Sequence, residues 1–340
     1  MPDKKSMFQL AFIISCLMGC FLIQEGQSKA EPRYVIKFAT VAPEGSTWIK
    51  HMRSLAGDIL EKSSGRLDFR IFPGAVLGDE LDVLRKIRIG QIDCAAFSGV
   101  GFGQILPMVR VLDLPFLFRS YQEIDLVHNT LRPFFASEFR KKGFELLAWA
   151  EVGNTHLFSK KPISQVRDLS GLKVWTWSGD PIAKETFSAM GINPIPLAIT
   201  DVTTAINTGM IDTVYAPPLA ALALQWYTSM NCMTAMPLVH STGAVLISST
   251  FMKKLPRDLS DLLMNTFDKA MTELTAALRE QNNEAIELIS NSGVTIIPVP
   301  PEDILAEFYS IHDRVAQRLI DNIYPKEVLY RVYEILKRPY

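Results

Sequence analysis

From Arg257 to Ser292 the chain runs without a glycine or a proline, and Leu259, Leu262, Leu263, Phe267, Met271, Leu274, Leu278, Ile286 and Ile289 recur along it at helical spacing. The pattern predicts one helix from Pro256 to Ser292, stopped by Gly293. At about 1.5 Å of rise per residue it reaches roughly 50 Å, which is longer than a single small α/β lobe. The apolar positions do not keep a strict a/d heptad, so a coiled coil explains the stretch poorly.

The remainder reads as alternating strands and helices. Tyr34–Val41, Leu67–Phe72 and Ile92–Phe97 are apolar, β-branched runs, separated by helical patterns over Thr47–Ser63 and Asp79–Ile89. This β-α-β-α-β order predicts a doubly wound lobe, with a cleft at the loops that leave the strands after Val41 and after Phe97. A helix over Tyr121–Phe139, broken near Pro133, and a strand over Phe144–Ala150 lead to a lobe crossover at Glu151-Val152-Gly153-Asn154. A second α/β unit follows. Its strands are expected at Thr155–Ser159, Lys173–Trp177, Asn193–Pro196 and Thr213–Ala216, and its helices at Pro181–Met190, Asp201–Thr208 and Pro217–Met230. Met236–Val239 and Ala244–Ser248 return to the first lobe, and Val294–Val299 is a last strand before helices over Glu302–Ile320 and Pro325–Leu336. The domain reading is therefore a leader over 1–30, lobe I over 31–153 completed by 244–280, lobe II over 154–243, the long helix over 256–292, and a C-terminal strand and helices over 293–340.

The leader is read from Lys4 and Lys5 before the apolar run Met7–Ile23, with Ser28-Lys29-Ala30 as a cleavage site, which directs the chain out of the cytoplasm. An uncleaved anchor and a lipoprotein cleaved before Cys20 are the alternatives. Of the four cysteines, Cys16 and Cys20 fall in this leader. Cys94 and Cys232 remain, without the spacing of a disulfide framework or a zinc site. A formal net charge of −1 over 340 residues with 48% apolar residues argues against a nucleic-acid-binding surface. The glycine-rich run Gly99–Gly103 is read as a loop. It lacks GxGxxG spacing and a Walker lysine, so it points to close backbone approach rather than to phosphate. There is no GxSxG elbow and no HExxH, and no cofactor is implied.

Three segments carry a family resemblance. Lys161-Pro162-Ile163 with Asp168-Leu169-Ser170-Gly171-Leu172-Lys173-Val174-Trp175 resembles the "kPI....DLkGlKiR" motif of the solute-binding proteins of TRAP transporters, the DctP family. Leu114-Pro115-Phe116-Leu117-Phe118-Arg119-Ser120 resembles that family's "lPfLfrs" run, and the order of elements matches throughout. The resemblance implies a two-lobed α/β fold like that of periplasmic binding proteins, with the long helix as a strut along both lobes. It implies a receptor, not an enzyme, that delivers a small-molecule ligand to TRAP membrane permease subunits.

The resemblance also assigns site positions. The arginine that holds a substrate carboxylate falls on Trp175, and a second basic position falls on Thr155. A substrate-orienting asparagine falls on Ala216, an acidic or polar position on Ser98, and the first strand-to-helix loop contributes Val41. The scaffold positions are kept and the charges are lost. Trp175, Trp177, Tyr215, Pro217, Phe102 and Trp48 are left as linings, which implies a predominantly hydrophobic or aromatic ligand. A family subgroup with this loss is associated with a tetratricopeptide-repeat partner. On the strand, Trp177 is read as opposing Trp175 and facing the core, while Lys173 runs out to solvent. His156 is read as structural, Asp180 as the N-cap of the following helix, and His240 is given no role. An organic-acid receptor using another cation and a ligand-sensing module are the competing functions.

Overall fold

The computed structural model describes residues 33–338; the leader, its cleavage site, Cys16 and Cys20 lie outside them. The strands are β1 (Tyr34–Ala39), β2 (Leu67–Phe72), β3 (Cys94–Ser98), β4 (Phe144–Ser159), β5 (Trp175–Trp177), β6 (Ile195–Leu197), β7 (Thr213–Ala216), β8 (Cys232–Thr234), β9 (Val239–Ser248) and β10 (Thr295–Ile297). One sheet has the order β10-β8-β4-β9-β3-β1-β2 with β7 also on β4, and β5 pairs with β6 in a small parallel sheet. β1 lies parallel to both β2 and β3, as the β-α-β-α-β reading requires. Its alternation sinks Ile36 and Phe38 completely.

The expected break at the crossover is absent, because β4 is one strand of sixteen residues. It pairs antiparallel with β9 from Phe144↔Ser248 to Thr155↔Val239, then with β7 from His156↔Ala216 to Ser159↔Thr213. The chain turns between halves by a register shift between Glu151 and Gly153 instead of by a loop. Gly153 takes φ 122°, a conformation only glycine adopts without strain.

The long helix spans Arg257–Asn291 and buries Leu259, Leu263, Phe267, Met271, Leu274 and Leu278 against the half built on β1–β3. Ile289, nearer its end, packs instead with Phe158, Val214 and Trp226 in the half built on β5–β8. One helix thus serves two cores, which accounts for its length. Buried Asn282 interrupts the apolar stripe; its Oδ1 accepts from Leu219 N at 3.0 Å and its Nδ2 donates to Leu278 O at 2.9 Å.

Three other expectations are corrected. The helix Tyr121–Lys141 runs through Pro133 unbroken; the proline forfeits one backbone bond, but Val127, Leu131, Phe135 and Phe139 stay anchored on either side of it. The expected helix Pro217–Met230 is a helix over Pro218–Ala223 and a 3-10 turn over Trp226–Ser229, parted by Gln225 in the left-handed region. The return strand Ala244–Ser248 is present as the second half of the ten-residue β9, but Met236–Val239 is not a strand, and the preceding one is β8 at Cys232–Thr234. At the C-terminus, helices Glu302–Leu319 and Lys326–Ile335 are tied in by buried His312, whose Nδ1 and Nε2 lie 2.8 Å from Pro115 O and Tyr333 Oη. Among the described residues no helix is long and apolar enough to cross a membrane.

Candidate functional site

The carboxyl ends of β1, β3 and β5 converge on two adjoining cavities. The larger, about 470 Å³, lies against Thr40–Pro43, Trp48, Ser98, Trp177 and the leucines Leu219, Leu222 and Leu224. The smaller, about 120 Å³, lies against Ser98, Thr155, Trp175, Trp177, Tyr215, Ala216 and Pro217. Of the expected site residues, Val41 and Trp48 sit on the larger cavity and Thr155, Trp175, Tyr215, Ala216 and Pro217 on the smaller, while Ser98 and Trp177 border both.

Phe102 is the exception. It is fully buried, edge-on to Phe139 at 6.4 Å between ring centroids, in the core behind the cavities. The Gly99–Gly103 run is a short helix, not a loop, and its turn carries Phe102 inward. The opposition expected between Trp175 and Trp177 is also corrected. Residues two apart on a strand share a face, and the two rings lie together at 6.1 Å.

Trp175 is 2% exposed. Its indole stacks on Tyr215 at 5.0 Å with 24° between planes, meets Trp226 edge-on, and donates from Nε1 to Leu197 O at 3.1 Å. It therefore walls the small cavity with one edge while most of it is packed. Trp177 Nε1 donates to Asp79 Oδ2 at 2.9 Å, joining β5 to the cap of the helix Glu80–Arg88. Lys173 points away from the cavities; its Nζ donates to Gly209 O. Nδ1 of His156 lies 2.8 Å from Thr234 O, and burial lowers the imidazole pKa to about 4, so the ring stays neutral and structural. His240 is buried beside Asn154.

The charged groups here were missed in the sequence. Arg110, 4% exposed, follows β3 and borders the small cavity. Its Nη2 donates to Asp180 Oδ1 at 2.7 Å, and its Nε lies 2.9 Å from Asp113 Oδ2. Burial opposes its charge, but Asp180 and Asp113 outweigh burial and hold the guanidinium above its usual pKa. Burial raises Asp113 to about 6 in spite of Arg110. Asp180 is the expected N-cap, accepting from Ile182 N and Ala183 N, and it is also the partner of Arg110. Nearby, Glu80 accepts from Ser98 N at 2.8 Å, Ser98 Oγ at 2.9 Å and Gly101 N at 2.8 Å. Burial pushes it up to about 7, against the Ser98 bonds and aided by the charge of Asp79.

The glycine-rich run makes room for this cluster. A Cβ on Gly101 would lie 2.6 Å from Glu80 Oε2, one on Gly103 would lie 2.6 Å from Arg110 Cδ, and one on Gly99 would collide with Asp113. The available signal was the pair Arg110 and Asp113, three apart inside the otherwise apolar run Ile105–Leu117. Among the described residues no group of acidic, histidine or cysteine side chains is placed to hold a metal.

Residues 38–322 match the family model described as bacterial extracellular solute-binding protein, family 7, DctP. The chain is similar to a solute-binding protein of Chromohalobacter salexigens, 32% identical over 165 residues, which are 48% of this chain and 49% of that one. It is similar to the C4-dicarboxylate-binding periplasmic protein of Rhodobacter capsulatus, 26% identical over 309 residues, 85% of this chain and 88% of that one. It is also similar to the 2,3-diketo-L-gulonate-binding periplasmic protein of Escherichia coli, 25% identical over 246 residues, 70% of this chain and 73% of that one. Among solved structures, the sugar acid binding protein of Advenella mimigardefordensis in complex with galactonate superposes with a TM-score of 0.85 at 20% identity, covering 90% of this chain and 99% of that one. A TRAP periplasmic solute-binding protein of Desulfovibrio salexigens with bound orotic acid gives a TM-score of 0.84 at 21% identity, with the same coverage. Such likeness establishes the two-lobed fold, while the family match extends over most of the chain. This protein belongs to the bacterial extracellular solute-binding proteins of family 7, the DctP family of TRAP solute-binding proteins.

Proposed function

We propose that the protein is a periplasmic receptor that encloses a predominantly hydrophobic or aromatic ligand between its halves and delivers it to TRAP membrane permease subunits, with no chemical turnover. The observation that carries this reading is the character of the larger cavity. Val41, Ala42, Pro43, Trp48, Trp177 and four leucines border it, and among the described residues no lysine, arginine or histidine does. The carboxylates Glu80 and Glu151 do border it. Burying an acid group there without a cation would cost several kcal/mol (of order 3–5). Arg279, behind this wall, is already committed to Asp125 at 2.6 Å and to Glu151 itself at 2.8 Å. A periplasmic tetratricopeptide-repeat protein is a second partner named by this reading.

A second reading, an organic-acid receptor, is favoured by two observations: relatives are named for C4-dicarboxylate and diketogulonate, and Arg110 stands beside the small cavity. Native mass spectrometry of protein purified from its own host, followed by extraction, separates the two. The apolar reading expects a lipid-like or aromatic molecule. A co-purifying sugar acid or dicarboxylate at one per chain overturns it. Melting-temperature screens with lipids, aromatic compounds and sugar acids give the same test, since a ligand that binds only the native state raises the midpoint.

A further inference from the structure

We infer that Asp180 is a built-in counter-ion that determines ligand charge: it occupies Arg110 across the cleft and so excludes acidic ligands. The inference deepens the apolar reading of this cleft and rests on its cavities being the ligand site. Arg110 comes from the segment after β3 and Asp180 from the turn after β5, so their 2.7 Å contact bridges the two halves. Both are more than nine-tenths buried, at 4% and 8% exposure, and both border the small cavity beside Trp175 and Tyr215.

Two of the three guanidinium nitrogens already face carboxylates of the chain. One nitrogen is taken by Asp180 and another faces Asp113. One positive charge thus meets two carboxylates, and Asp113 is itself fixed by Thr242 N at 3.1 Å. An incoming carboxylate would be a third negative group at one cation in a desolvated site, where like charges repel strongly. Asp180 has no reason to yield, because Ile182 N and Ala183 N also hold its Oδ1. The absence of side chains at Gly99 and Gly103 gives Asp113 and Arg110 the space to adopt this arrangement. Gln104 Nε2 on Gly179 O, at 3.3 Å, and Trp177 on Asp79 close the same seam beside it. The acid group that an arginine receives from a ligand elsewhere is here supplied by the chain.

The test uses calorimetric titration of the mature protein with galactonate, D-glucuronate, succinate and orotate, and fluorescence titration with the neutral apolar probe N-phenyl-1-naphthylamine. Asp180→Asn and Asp180→Ser remove the charge and keep a side chain suited to the N-cap. Wild type is expected to show no saturable acid binding at millimolar concentration. In either variant at least one acid should gain affinity by about tenfold or more, and adding Arg110→Gln should abolish the gain. Folded variants that gain nothing overturn the inference, as does wild type that binds an acid as tightly as they do. If both variants fail to fold, the wild-type arm decides: saturable binding of an acid overturns the inference and its absence across the panel supports it. The naphthylamine arm keeps the two readings apart. A probe that binds neither protein while the variants gain acids defeats the apolar reading and leaves the inference standing. A probe that binds both while no acid binds the variants does the reverse.

Discussion

Trp177 and Asp79, 98 positions apart, meet through a 2.9 Å hydrogen bond from the indole Nε1 to the carboxylate that caps the helix Glu80–Arg88. The bond is buried at the seam between the two cavities and joins the half built on β5–β8 to the half built on β1–β3. Trp177→Phe keeps an aromatic ring and removes the N–H. Asp79 then loses a donor in a dry site, and stability should fall by about 1–3 kcal/mol. Urea denaturation measures this; a change within about 0.5 kcal/mol would show that the bond contributes nothing.

Trp175→Arg restores the side chain that the family motif carries at this position. The indole it replaces is packed between Tyr215 and Trp226. Stability is expected to drop by about 3–5 kcal/mol, as for other large aromatic losses. No sugar acid should gain affinity, because Asp113 and Asp180 remain beside the cavity. Calorimetry together with a melting curve checks both parts.

Glu80 gives a pH signature. Burial raises its native pKa from 4.5 to about 7. A carboxyl raised on folding favours the native state fully below its unfolded pKa, and the benefit is lost as pH rises through the folded value. Wild type should therefore lose up to about 3 kcal/mol relative to the non-titrating Glu80→Gln variant between pH 4.5 and pH 8. The variant carries a constant penalty of its own, since an amide cannot accept from Ser98 N and Gly101 N together. A pH-independent difference between the two proteins would exclude the raised pKa.

Gly153→Ala should be costly at the turn in β4. The backbone there has φ 122°, and a Cβ would lie 2.8 Å from Asn282 Nδ2 and 3.3 Å from Pro217 Cβ. Strain and collision together should destabilise the protein by more than about 1 kcal/mol. A chemical denaturation midpoint unchanged from wild type would mean that the strand can relax at this point.

Sequence alone determined the features that depend on near neighbours. The strut helix is legible because its apolar stripe and its lack of glycine and proline are properties of consecutive residues, and the same holds for the β-α-β order of the first half. The family resemblance assigned Trp175, through its motif, and Thr155 and Ala216, position by position, to the site, and all three lie on the small cavity's wall. Tertiary structure decided what that spacing cannot contain. It carried Phe102 into the core on a helical turn, ran β4 unbroken through both halves, and set Trp177 beside Trp175. It also brought Arg110 to Asp180, 70 positions away, and so decided the charge of the cleft. The physical reason is burial: a lone ion is costly in a dry cavity wall, so each charge there is defined by the partner that packing delivers, and that partner lies far along the chain.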